Sequence, residues 1–391
     1  MSSQETTRSS IMMIAAEASS VHYALKLMDY WESQNLDLDI FGVGSKEMED
    51  RGFRRFGNSE DMAIVGLVEV IKHYSELKHV FESLVAEVKS KKPKFVLLMD
   101  YPGFNLRLAK KLKEELGKEN IKIFYYISPQ VWAWKKDRIH EIKKYCDNVY
   151  LLFPFEKEFY DKYQVPYEFV GHPLLEDLDP ALFDNQAIKL SRQKYGIKND
   201  EKVLALMPGS RRSEIEMNFP IQLEVARNIV KKYDHVRIAI LVAPTLSKDY
   251  ILQFCENFGS PYILLKDDPN KMISMADVVL ATSGTATLMV GLLHKPMVIM
   301  YRMKWLTGVI AKLIVRGVKY FGLVNLVLDE QVVPESMQSD ATADKITPLI
   351  EKYILDDQYY ADTVKKLEMV RYKLGDVGAT ERVGSSLMKY L

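Results

Sequence analysis

The chain has 391 residues, 48% hydrophobic and 27% charged, with 53 Lys+Arg against 53 Asp+Glu. That length exceeds one typical core and predicts two domains, and the zero net charge excludes a nucleic-acid partner held by bulk electrostatics. The two cysteines, Cys146 and Cys255, lie far apart without metal-ligand spacing, which fits a reducing compartment.

The polar start, Met1–Ser10, leads into an apolar run, Ile11–Ala16, too short for a signal-peptide core. No run approaches the ~20 apolar residues of a spanning helix, so a soluble or membrane-associated protein is expected. Ile11–Ala15 reads as a buried strand, His22–Glu32 as a helix and Asp39–Val43 as a second strand. Leu67–Lys89 carries a long helical pattern. Phe95–Met99 is a strand, Asn105 is placed as the cap of a helix running to Leu116, and Ile121–Ile127 and Asn148–Phe153 are further strands.

The texture changes at Leu174–Asp184, rich in Asp, Pro and Leu, which reads as a linker. Strands resume at Val203–Met207, Val236–Val242, Tyr262–Leu265, Val278–Ala281 and Val298–Tyr301. Helical patterns follow at Trp305–Tyr320, Ala343–Tyr353 and from Asp357 onward. Strands alternating with helices argue a parallel α/β sheet, and the alternation occurs twice. The expectation is two Rossmann-like domains facing across a cleft, residues 1–175 and 176–355, with a C-terminal helical segment, 356–391. Ligands in such sheets sit beyond the carboxyl ends of the strands.

Several strand ends carry candidate chemistry. In Val203–Ile215 an apolar strand is stopped by Pro208 and Gly209, and Ser210 and Arg211 precede a helix start. Free backbone N–H groups at such a turn favour a phosphate, and Arg211 adds a charge-assisted donor. An ordinary strand–helix loop is the competing reading. Ser283-Gly284-Thr285 is a second turn of small residues in the same half, and two such turns suit a diphosphate. No Walker or G-x-G-x-x-G pattern occurs, which argues against ATPase and dinucleotide readings. Asp100 ends an apolar strand, where a carboxylate can take a proton from a hydroxyl or simply form a turn. Trp132 and Trp134 pack under a loop or form an aromatic wall. Met62–Ile71 holds a single charge, Glu69. Its Ile64, Val65, Leu67, Val68 and Ile71 begin a core helix or form a membrane-facing patch.

Taken together, these stretches resemble the lipid-A-disaccharide synthases, bacterial glycosyltransferases of GT-B architecture. The residues that carry the resemblance are Glu17-Ala18-Ser19, Gly66–Val70, Asp100 with Pro102 and Phe104-Asn105, Ser128–Trp134 and Phe153–Glu156. They continue with Val170–Pro173, Pro208–Arg211 with Glu214-Ile215, Ser283–Leu288, Asn325, and Val333–Glu335 with Gln338. The resemblance implies an inverting transfer with no metal and no cofactor. UDP-2,3-diacylglucosamine would donate to 2,3-diacylglucosamine 1-phosphate (lipid X), giving the β-1,6-linked disaccharide 1-phosphate and UDP. It implies donor contacts at Gly209, Ser210, Arg211, Ser283, Gly284, Thr285, Asn325, Glu335 and Gln338. Acceptor contacts would come from Glu17, Ser19, Asn105 and Trp132, with Asp100 as the base. It also implies the membrane reading of the 64–71 patch, and residence on the cytoplasmic face of the inner membrane of a Gram-negative bacterium. A homodimer with exchanged C-terminal segments is a further implication.

The chain departs from that pattern at several turns. Ala16-Glu17-Ala18-Ser19-Ser20-Val21 stands where the family usually has Gly-Glu-Ala-Ser-Gly-Asp. Gly103 replaces a second Asp, Ser45-Lys46 replaces Gly-Pro, and Met289 replaces a Glu suited to the ribose hydroxyls. These changes motivate two alternatives: a related transferase with a changed UDP-sugar or acceptor, and a weakly active protein that binds lipid precursors.

Overall fold

The computed structural model describes residues 8–62, 74–117, 120–132, 135–243, 246–303 and 319–391. The expected membrane-facing residues 64–71, Trp134 and most of the helical pattern 305–320 lie outside the described residues.

Among the described residues, thirteen strands form two sheets. The first runs β3 (Arg54–Asn58), β2 (Leu38–Gly44), β1 (Ser9–Ala15), β4 (Phe95–Met99), β5 (Lys122–Tyr126), β6 (Asn148–Leu151), β7 (Tyr167–Phe169). The second runs β10 (Tyr262–Leu265), β9 (Val236–Leu241), β8 (Lys202–Met207), β11 (Val278–Thr282), β12 (Met297–Tyr301), β13 (Glu335–Met337). Every neighbouring pair is parallel. Helices therefore cover both faces, and the central strands are apolar throughout, as in the fully buried Phe-Val-Leu-Leu-Met of β4. Both sheets are Rossmann-like.

The chain divides into two compact units. One comprises the residues up to Pro173 together with Asp376–Leu391, the other Leu174–Gly375. The stretch 356–391 is thus shared: the helix Asp357–Leu374 belongs to the second unit, and the helix Ala379–Met388 returns to pack on Ala18–Ser33 of the first. Each unit has its own core, around Ile14, Val96, Leu98 and Tyr125 in one and Leu206, Phe219, Ile240 and Leu280 in the other.

Three strands had no counterpart in the sequence reading: β3, β7 and β13. All three are edge strands. They are short and half polar because only one neighbour and part of each face need cover. The helix after β4 also begins earlier than expected. Pro102 occupies its first turn and Tyr101 its cap position, so Asn105 lies inside the helix rather than capping it. Proline's fixed φ and missing N–H suit that first position.

Candidate active site

Because all strands of a sheet are parallel, their carboxyl ends share one edge. On the first unit that edge gathers the segments after β1, β4, β5 and β6. Glu17 precedes the helix Ala18–Ser33, and Ser20 Oγ accepts from the Glu17 N–H at 3.0 Å while donating to its carbonyl at 2.8 Å. Ser20 is fully buried and Val21 nearly so, so this turn is built by a hydroxyl where glycine was the expected residue. Glu17 and Ser19 are half-buried. Burial pushes the Tyr101 phenol up, and the Glu17 carboxylate adds to that shift.

The turn after β4 is unusual. Asp100 and Tyr101 both have positive φ, +48° and +43°, and across the neighbouring strand end Ile127 has φ +58°. Left-handed backbone costs an L-residue about 1 kcal/mol or more, and a β-branched residue there is a true outlier. The Asp100 N–H donates to the Ile127 carbonyl at 3.3 Å. Asp100's own carbonyl accepts from Tyr125 Oη at 2.5 Å and from Asn105 Nδ2 at 2.6 Å. Asn105 is fully buried, so its amide works on the Asp100 peptide. Gly103 faces open space.

After β5 and β6, Trp132 meets Phe155 edge-on at 5.0 Å, Phe155 stacks on Phe153 at 5.1 Å, and Phe153 packs against His172 at 5.1 Å. The Trp132 Nε1 atom is buried, and its N–H is among the donors that favour the Glu156 carboxylate. His172 is buried between Phe153 and Tyr23, a packing role. Glu156 is fully enclosed, accepts from the Phe153 N–H at 3.0 Å, and burial pushes its carboxyl up to about 7.

The second unit's edge gathers the two expected turns. β8 and β11 are adjacent, and fully buried Gln222 ties their ends together, its Nε2 donating to the Met207 carbonyl at 3.1 Å and to Thr282 Oγ1 at 3.2 Å. Gly209 has φ +115°, and a Cβ there would lie 2.9 Å from Glu214 Oε2. Glu214 reaches back from the first turn of the helix Arg212–Lys232. Its carboxylate accepts from the N–H groups of Ser210 and Arg211 at 3.3 Å and from Arg211 Nη1 at 3.3 Å. The helix N-terminus favours that negative charge. The turn therefore already holds one carboxylate, and the Arg211 side chain remains 45% exposed above it.

At the second turn Ser283 is half-buried, Gly284 and Thr285 are exposed, and the Gly284 carbonyl is held by Thr287 Oγ1 at 2.8 Å. Met289 is buried in the helix that follows. Beside β12, Gln338 Oε1 accepts from the Met303 N–H at 3.5 Å. Glu335 accepts from the N–H groups of Phe321 and Gly322 at 2.9 Å and from Asn325 Nδ2 at 2.8 Å. Asn325 is fully buried, and its amide also pairs with the backbone of Val332 and Val333, so it reaches the site only through Glu335.

The sequence reading missed a polar stripe. Glu214, Asn218 and Gln222 recur every fourth residue on the inward face of one helix. Asn218 clamps both backbone groups of Arg302, at 2.7 and 3.1 Å. The stripe fixes the ends of β8, β11 and β12 together. The only signal was its adjacency to the apolar Ile215, Phe219 and Leu223. Among the described residues no group of His, Cys, Asp and Glu could hold a metal ion, and no helix is long and apolar enough to cross a membrane.

Comparisons with known proteins fit these features. Solved structures share the fold. Anabaena HepE in complex with UDP and glucose aligns with TM-score 0.60 at 12% identity, covering 97% of this chain and 99% of that one. UDP-GlcNAc 2-epimerase from Neisseria meningitidis bound to UDP-GlcNAc aligns with TM-score 0.63 at 13% identity, covering 97% and 100%. In sequence, the lipid-A-disaccharide synthase of Geobacter sulfurreducens is 35% identical over 389 residues, 99% of this chain and 98% of the relative. Lipid-A-disaccharide synthase 1 of Legionella pneumophila (strain Philadelphia 1) is 35% identical over 366 residues, 94% and 93% of the two chains. The profile of the family described as Lipid-A-disaccharide synthetase matches residues 11–383, and the chain belongs to this family of glycosyltransferases, which make the lipid A disaccharide.

Proposed function

We propose that this enzyme joins UDP-2,3-diacylglucosamine to lipid X with inversion. The carrying observation is the pairing of turns on the second unit's edge: Pro208–Arg211 and Ser283–Thr285 follow adjacent parallel strands and are braced by one buried side chain, Gln222. Arg211 and the open backbone at Gly284-Thr285 hold the diphosphate, with Gly209 and Ser210 shaping the first turn and Ser283 the second. Glu335, oriented by Asn325, and Gln338 hold the nucleoside side. Met289 is buried, so the ribose contact falls to those residues.

On the first unit, the Asp100 carboxylate takes the proton of the acceptor's 6-hydroxyl. The freed oxygen attacks the donor's anomeric carbon, and the C1–O bond to the diphosphate breaks with its electron pair leaving on UDP. Glu17, Ser19 and Trp132 border the acceptor, Trp132 with its buried indole N–H, and Asn105 acts through the Asp100 peptide. The enzyme works at the cytoplasmic face of the inner membrane of a Gram-negative bacterium, where residues 64–71 touch lipid, and it assembles as a homodimer.

The test is to incubate the purified protein with both lipids, without added metal, and follow disaccharide phosphate and UDP by mass spectrometry. Product that disappears in Asp100→Ala, with the fold intact, is expected. UDP binding without any product would leave a lipid-precursor-binding protein instead.

A further inference from the structure

We propose that Tyr125 and Asn105 are positioning residues that hold Asp100 in its reactive conformation. The inference rests on reading Asp100 as the base.

The reason lies in the strained turn. Three L-residues with left-handed backbone, Asp100, Tyr101 and Ile127, sit on two adjacent strand ends, where Met99 and Tyr126 are register partners. Such a conformation persists only where its surroundings over-determine it. Here the restraint converges on one atom. The Asp100 carbonyl oxygen receives two side-chain donors, Tyr125 Oη at 2.5 Å and Asn105 Nδ2 at 2.6 Å, and the same amide nitrogen also donates to the Met99 carbonyl at 3.1 Å. On the other side the Asp100 N–H is tied to the strained Ile127 at 3.3 Å. Both peptide planes flanking the Asp100 Cα are therefore fixed, and with them the direction of its Cα–Cβ bond.

The two donors come from the interior. Tyr125 and Asn105 are both fully buried, one on β5 and one on the helix after β4. Burial, and then the nearby Asp100 charge, push the Tyr125 phenol well above its ordinary value, so it stays protonated and donating at every pH the enzyme meets. Both side chains donate to the backbone of the turn rather than to the Asp100 carboxylate. A base displaced by a fraction of an ångström loses rate without losing affinity, because orientation matters to the chemical step and not to binding.

The experiment compares Tyr125→Phe, Asn105→Ala, Asp100→Asn and the Asp100→Asn/Tyr125→Phe pair. Initial rates, UDP calorimetry and circular dichroism are read well below each thermal midpoint. Tyr125→Phe removes one oxygen and leaves the ring. The expected result is a ten- to hundredfold fall in kcat, with KM for both lipids and UDP affinity within twofold of the parent. Asn105→Ala should move the same way, and would carry the test if Tyr125→Phe does not fold. In the Asp100→Asn background, Tyr125→Phe should have no further effect. An inactive Asp100→Asn beside a Tyr125→Phe of parental kcat overturns the positioning role and leaves the base in place. A fully active Asp100→Asn removes the base itself. A kcat loss that merely follows the folded fraction also overturns the proposal.

Discussion

Asp277 and Val203 exchange two hydrogen bonds: the Asp277 N–H donates to the Val203 carbonyl at 2.9 Å, and the Val203 N–H donates to Asp277 Oδ2 at 2.6 Å. The first unit repeats the device. Asp147 N–H donates to the Ile123 carbonyl at 2.7 Å, and Ile123 N–H donates to Asp147 Oδ2 at 2.8 Å. In each sheet an aspartate just before one strand locks the start of its neighbour and then takes a cation, Arg192 in one case and Lys113 in the other. These clamps sit at the amino ends of the strands, opposite the site, and they fix strand register there.

Asp147→Ala should therefore cost stability without touching turnover. Lys113 is 5% exposed, with its ammonium 2.6 Å from Asp147 and 2.8 Å from the Ile121 carbonyl. Removing the carboxylate strands a buried cation, a loss of about 3 kcal/mol. Lys113→Met removes the charge and keeps the stem, so its loss should be under half as large. Urea unfolding of both variants reads the difference; equal losses would show that the carboxylate's bonds to the strand, not the ion pair, carry the effect.

Glu156 gives the enzyme a pH dependence opposite to that of most carboxylates. Its folded-state value, raised by burial to about 7, lies above that of the unfolded chain. The folded state then holds a proton that the unfolded state has lost. Stability is full below the ordinary carboxylate range, declines as pH rises toward 7, and levels off above it, a total on the order of 3 kcal/mol. Glu156→Gln is neutral at every pH and keeps an oxygen for the Phe153 N–H. Thermal midpoints between pH 5 and pH 8 should fall in the parent and stay flat in the variant. A parallel fall in both would assign the slope to other groups.

The central strands and the two turns after β8 and β11 were legible because burial on both faces leaves an apolar run, and Pro208-Gly209 stops it abruptly. The edge strands β3, β7 and β13 were not, since Arg54-Arg55 or Glu168 within them read as loop, whereas the apolar edge strand β10 was. Asn105 was legible as a helix-start residue but not as an internal donor, because its acceptors, Met99 and Asp100, turn toward it only through left-handed backbone. Glu214, Asn218 and Gln222 share one helix face, a pattern that ordinarily marks solvent. Nothing local says that Asn218 and Gln222 will instead be spent on the ends of other strands, and Glu214 on the turn before its own helix.

The turn at Gly209 makes a matched pair of predictions. Gly209→Ala would strain φ +115° and drive a methyl against Glu214, loosening the bonds to Ser210 and Arg211. Arg211→Ala leaves the turn intact and removes one guanidinium, whose charge-assisted contact is worth about 1.5–3 kcal/mol. Arg211→Ala should weaken UDP binding about 10- to 100-fold by calorimetry with an unchanged thermal midpoint. Gly209→Ala should weaken UDP binding and lower the midpoint together. Unchanged UDP affinity in Arg211→Ala would remove the arginine from the donor site.

The returning helix Ala379–Met388 docks through small residues. A Cβ on Gly384 would lie 2.3 Å from a ring carbon of Tyr30, so only glycine lets the two helices approach. That closeness permits Tyr30 Oη to pair with Ser385 Oγ at 2.7 Å, Trp31 Nε1 to donate to the Gly384 carbonyl at 3.3 Å, and Ser386 Oγ to donate to Glu168 at 2.9 Å. Val383 and Leu387 are buried beneath, and Tyr390 packs on Phe124 at 4.7 Å. Gly384→Val should force the helix away from Tyr30, at about 1–3 kcal/mol for the overpacking plus the bonds it breaks. Ser386→Ala loses about 1 kcal/mol and should keep the helix docked. Limited proteolysis separates the two: cleavage between Gly375 and Gly378 should accelerate tenfold or more in Gly384→Val and little in Ser386→Ala. Equal resistance in both would mean that apolar burial of Val383 and Leu387, rather than the close approach at Gly384, anchors the chain's end.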